Sequence, residues 1–87
     1  MLGIKEKLSE TLAMPKEIAL DLPLITATGR NELSIENYKN LLEFTETSIK
    51  IRTKEGDLSI SGDALGLVQV TTENIVISGR ISGILYS

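Results

Sequence analysis

The sequence predicts a mainly β domain: a meander of about seven to eight short antiparallel strands, rolled or packed as a small sandwich, preceded by one short N-terminal helix. Three observations predict it. Residues 48–53 (SIKIRT), 57–61 (DLSIS) and 74–78 (NIVIS) alternate apolar and polar side chains, the period of a half-buried strand. EGD, SGD, TEN and SGR punctuate these pieces as turns. Strand starts recur about every 8–12 residues, the spacing of a sandwich, barrel or rolled sheet, and the residues leave open which of these forms.

The elements follow in order. In residues 1–14, Ile4, Leu8 and Leu12 are spaced by four and make one apolar stripe of a short helix. A helix this short is marginal alone in water, so the stripe, Leu8 and Leu12 included, needs its own sheet, another subunit or a membrane face. The charges on the helix nearly cancel, unlike the basic polar face of a membrane-surface helix. Pro15 ends it, because proline disfavours helical geometry in the residue before it. Residues 15–23 read as an extended arm or edge strand, since Pro15 and Pro23 cannot donate to a ladder.

Residues 24–87 are the all-β domain. Strands are expected at 24–28, 32–36 with Leu33 and Ile35 inward, and 41–45 with Leu42 and Phe44 on one face. They continue at 48–53 with Ile49 and Ile51 inward, 57–61 with Leu58 and Ile60 inward, 65–71, 74–78 and 80–86. Turns are expected at 29–31, 37–40, 46–47, 62–63 and 72–74, and Gly79 separates the last two strands. Lys54-Glu55-Gly56 reads as a tight hairpin loop in which glycine supplies a positive φ. DLSISG and NIVISG form a weak internal echo. Thr26, Thr28, Ser34, Ser59, Ser61 and Ser78 make the polar faces rich in hydroxyls.

Eighty-seven residues make one domain. A domain this small buries only about 60–65% of the surface its unfolded chain exposes. Small domains compensate with disulfides, metals or oligomerisation. With no cysteine and no histidine, disulfides, thiolate sites and the commonest zinc ligand and general base are gone. Self-association is the compensation left open, against a well-packed monomer. A net charge of −3 suits solubility and repels phosphate backbones, so nucleic acid is not an expected partner. No stretch reaches the ~20 apolar residues of a membrane span, and the N-terminus lacks the basic and apolar regions of a signal peptide. A cytoplasmic protein is expected.

Nothing resembles a reaction centre. Glu36, Glu43 and Glu46 read as a solvated face. No calcium-loop spacing, GxSxG, GxGxxG or GxxxxGK occurs, so neither enzyme activity nor a cofactor is expected. One turn stands out, Ile35-Glu36-Asn37-Tyr38-Lys39-Asn40, with a tyrosine where a minimal turn needs only Asn or Gly. Tyrosine favours interfaces and also caps the edges of cores, so Asn37, Tyr38 and Lys39 are candidate interaction residues, with Leu8, Leu12 and Tyr86. A small-ligand or glycan-binding surface using Tyr38, Tyr86 and the Ser/Thr rows is the alternative, and the scarcity of aromatics speaks against it.

The pieces Leu22-Pro23-Leu24-Ile25-Thr26, Leu33 to Lys39, Leu42-Glu43-Phe44, Ile49 to Thr53, Leu58 to Gly62 and Ile75 to Ile84, in this order and spacing, resemble the YabP/YqfC family of sporulation proteins, on its YqfC side. The resemblance covers most of the chain after about Leu12. It implies a non-enzymatic, structural or morphogenetic role in endospore formation, in the cortex or coat. It further implies synthesis in the mother-cell cytoplasm, a place at or near the forespore membrane, and a membrane-bound sporulation protein as partner beside the chain itself. Tyr38 departs from the family pattern, in which histidine is more usual in the I-E-N-x-K turn, and this weakens any titrating or metal-binding role there.

Overall fold

The computed structural model describes residues 21–87. The expected helix at 1–14, with Leu8 and Leu12, and most of the 15–23 arm lie outside the described residues. Six strands form one antiparallel sheet: β1 (Leu24–Thr28), β2 (Glu32–Glu36), β3 (Asn40–Phe44), β4 (Ser48–Thr53), β5 (Gly56–Val70) and β6 (Asn74–Tyr86). The described residues contain no helix.

Two of the expectations are corrected. The strands number six because Gly62-Asp63 and Gly79 bend the chain without ending a strand, so 57–61 and 65–71 merge into β5, and 74–78 and 80–86 into β6. Neighbouring strands pair as in a meander within β1–β2 and within β3–β6, but these two runs are joined out of sequence order. The order is β1-β2-β6-β5-β4-β3, so β6 returns to sit between β2 and β5. Local alternation defines a strand and its faces but leaves its distant partner unspecified.

The long strands β5 and β6 each serve two half-sheets. The first comprises β1, β2, residues 74–78 of β6 and residues 66–70 of β5. The second comprises β3, β4, residues 56–61 of β5 and residues 81–86 of β6. Between them the β5–β6 ladder shifts register at Ser61/Gly62 and Asp63/Gly66. Such bulges are the device by which a strand turns a corner and passes from one sheet layer to another. Ala64, at φ 53, absorbs the extra residue on β5.

The two halves follow a like pattern of pairing. The β3–β4 loop lies on the corner of β5, where Gly62 and Leu65 donate their backbone N–H groups to the carbonyls of Thr47 and Glu46. The β1–β2 loop lies on the corner of β6 in the same manner, with Gly79 and Ile81 donating to Asn31 and Arg30. The echo DLSISG/NIVISG is the sequence trace of this arrangement, because each Ser-Gly enters a corner.

Directly opposed residues share a face, so the register sorts the side chains. Leu33, Ile35, Ile75 and Ile77 from the first half and Ile49, Ile51, Leu58 and Ile60 from the second are fully buried in a single core, joined by Leu65 and Ile81 at the corners. The hydroxyl-rich rows lie on the outer faces: Thr26, Ser34 and Val76 in one row, Lys50, Ser59 and Leu85 in another. In β3 a bulge between Leu41 and Glu43 turns Leu41 onto the core, and Leu42 and Phe44 stay exposed. Alternation alone does not reveal that bulge.

Threonines close the hairpins. Thr45, Thr53 and Thr71 each accept at the hydroxyl the N–H of the residue two positions on, and Thr45 and Thr71 also that of the third. These side chains mimic a backbone turn, which is why T-E-T and T-T-E-N suffice where glycine is absent. At the third hairpin Gly56, at φ 124, faces Thr53 across a loop of Lys54 and Glu55.

Candidate functional site

Residues 37–39 are the crossing from the first half-sheet to the second, at the end of the molecule away from the corners. Asn37 sits at φ 65, a left-handed conformation that asparagine tolerates better than most residues. Its backbone N–H donates to Glu73 O at 2.8 Å, on the β5–β6 loop. Its side-chain Nδ2 donates to Leu22 O at 2.8 Å, holding the segment that leads into β1. Two residues later, the N–H of Lys39 donates to Arg52 O at 2.7 Å, in the second half.

Tyr38 lies between these anchors. Its ring packs half-buried against the core and its hydroxyl donates to the carbonyl of Thr71. Lys39 pairs with Asp21, and this hydrogen bond holds the Asp21 carboxyl below its ordinary value. The turn thus ties the incoming chain, the β5–β6 loop and β4 to one another. Among the expected interaction residues, Asn37, Tyr38 and Lys39 come together here, each with an identified structural bond.

Beside the turn is an open polar cleft of about 680 Å³, lined by Asp21, Glu36, Asn37, Tyr38, Lys39, Thr72 and Glu73. Among the described residues no group of three or more acidic side chains could hold a metal ion. Tyr38 is half-buried, packing against the core while also lining the cleft. On β4, Arg52 is engaged by Asp57, with Nε to Oδ1 at 3.0 Å. The bond lowers the Asp57 carboxyl and raises the Arg52 guanidinium from their ordinary values.

We expect Tyr38→Phe to lower the unfolding free energy by about 1 kcal/mol, because the ring stays packed and one hydrogen bond is lost. Urea unfolding measures this, and an unchanged midpoint would remove the hydroxyl from the account.

Tyr86 lies elsewhere. It ends β6 opposite Leu58 and belongs to a second feature that the sequence reading missed. The large apolar side chains exposed among the described residues are Leu24, Leu42, Phe44, Val68, Val70, Ile84, Leu85 and Tyr86. All eight lie on segments paired on one side only: β1, β3, the end of β5 beyond its pairing with β4, and the end of β6 beyond its pairing with β2. The central segments carry none. A signal was present in the chain, since neither 64–70 (ALGLVQV) nor 81–87 (ISGILYS) contains a charge.

The fold and these surfaces define a small antiparallel β module that offers strand edges and a stitched polar turn. The model of the YabP family matches residues 22–87, and the chain belongs to that family. The match begins at Leu22, the residue whose carbonyl Asn37 holds. Over 83 residues the chain is 34% identical to a Bacillus subtilis (strain 168) protein named "Uncharacterized protein YqfC", covering 95% of this chain and 89% of that protein.

Proposed function

We propose that this protein is a structural, morphogenetic component of endospore formation that acts through protein–protein contacts, including contacts between its own copies, and not by catalysis. Membership of the YabP family supports the process. The confinement of all eight exposed large apolar side chains to strand edges carries the mode of action. Edges with unpaired backbone groups template the addition of further strands, and proteins ordinarily blunt them with charge or proline. The work is done in the mother-cell cytoplasm, at or near the forespore membrane, during assembly of cortex or coat, with a membrane-bound sporulation protein as a second partner. Among the described residues no helix is long and apolar enough to cross a membrane.

Deleting the gene in its spore-forming host tests this reading. Vegetative growth is expected to be unchanged, while spores lose heat or lysozyme resistance and show a defective cortex or coat by electron microscopy. Spores of normal resistance and normal layers would reject it.

A further inference from the structure

The four exposed edges are not equivalent. β1 is five residues long and follows Pro23. β3 is also five residues long, carries Glu43 and is interrupted by a bulge. The free end of β5 is interrupted by a bulge at Leu67/Gln69. Short length, charge, proline and bulges are the means by which edges are kept from pairing. The end of β6 is also short, but it has no charge, no proline and no bulge. Its pairs from Gly83↔Ser61 to Tyr86↔Leu58 are regular, and residues 81–87 carry no charge and no proline. Ile84, Leu85 and Tyr86 are all exposed, so both faces of this edge are apolar, and Leu85, at 69%, is the most exposed of the eight.

From these observations, and resting on the proposed role through protein contacts, we infer that residues 84–86 of β6 pair antiparallel with the same residues of a second copy, with the two-fold axis at Leu85. Backbone direction sets the register. Ser87 turns its N–H toward β5, donating to Asp57 O at 2.9 Å. Backbone groups alternate along a strand, so Leu85 also faces β5, and Ile84 and Tyr86 face outward. Pairing Ile84 with Tyr86 of the copy, and Tyr86 with its Ile84, satisfies every outward N–H and C=O of these two residues. An axis at Ile84 would instead oppose Tyr86 to Ser82, which the register shift at the corner leaves unpaired in the β5–β6 ladder.

The chosen register puts Leu85 opposite its own copy in a non-hydrogen-bonded pair, where side chains approach most closely. A two-fold contact brings each residue near itself or a symmetry-related neighbour, so a charged edge would repel its copy. This edge is uncharged, and its partner of matching chemistry is a second copy of the chain. The product is a continuous eight-stranded layer made from two second half-sheets.

Charge at the axis tests the inference. Sedimentation of the full chain across concentrations is expected to show a reversible dimer. Leu85→Lys and Leu85→Glu should each raise the dissociation constant at least tenfold, and an equal mixture of the two should restore a dimer. Leu85 is exposed, so neither change should disturb the monomer, and circular dichroism checks this. The chain contains no cysteine, so Leu85→Cys gives a single thiol whose Cα would lie about 4.5 Å from its copy. That variant should cross-link under mild oxidation, while Thr26→Cys on the other outer face should not. A mass that stays monomeric up to millimolar concentration, a dimer indifferent to both charged variants, or equal cross-linking of the two cysteine variants would overturn the pairing. None of these results bears on the deletion phenotype, so the edge and the sporulation role fail separately.

Discussion

Gly79→Ala is expected to lower the unfolding free energy by about 3 kcal/mol or more, from backbone strain and overpacking of roughly 1–3 kcal/mol each. Gly79 holds φ at +133, a region that side chains rarely adopt. A Cβ there would meet Ala64 O at 2.6 Å and Leu65 Cα at 2.8 Å, and both are backbone atoms that cannot swing aside. The related glycine on the other corner is as confined, since a Cβ at Gly62 would come within 2.1 Å of Arg80 O. Each corner thus works because one strand lacks a side chain where the other strand's backbone passes. Gly66→Ala is the control: its nearest neighbour would be Ser78 Oγ at 3.9 Å, an ordinary contact. Urea unfolding of the three variants decides the matter. A Gly79→Ala midpoint no lower than that of Gly66→Ala would reject the account of the corners.

The second large effect is expected at the core. Ile77→Ala should cost about 2–5 kcal/mol through lost burial and the cavity left behind. For a domain of this size that corresponds to a fall in Tm of roughly 8–40 °C. Ile60 occupies the equivalent place on β5, two residues before its corner glycine, and is equally buried. Ile60→Ala should therefore fall in the same range of about 2–5 kcal/mol. Val68→Ala, on an exposed edge, should stay within about 0.5 kcal/mol. Thermal unfolding followed by circular dichroism tests all three. A small loss at Ile77 beside a large one at Ile60 would show that the two halves do not share the core evenly.

These two sites mark where sequence reading held and where it stopped. Leu33, Ile35, Ile49, Ile51, Leu58 and Ile60 are inward in the pattern and buried in the fold, because alternation translates directly into the two faces of a strand. Gly62 and Gly79 were legible as punctuation only. A glycine that ends a strand and one that lets a strand turn a corner look alike in a single chain, since the difference lies in the strand passing beside it. The Asn37-Tyr38-Lys39 turn stood out by composition, but its bonds to Leu22, Thr71, Arg52 and Asp21 are made with residues distant in the chain. The apolar edge at Ile84, Leu85 and Tyr86 was visible as an uncharged run, and nothing local said that no strand among the described residues would pair with its outer side.

The class of fold, most core residues and the hydroxyl-rich outer faces can be read directly from the order of the amino acids. Those follow from side-chain period and turn chemistry, which are local. The place of β6 between β2 and β5, the sharing of two strands by both halves, and the edges left open among the described residues emerge from the folded chain alone. Pairing joins residues dozens of positions apart, and its outcome depends on how the whole chain buries its apolar faces at once.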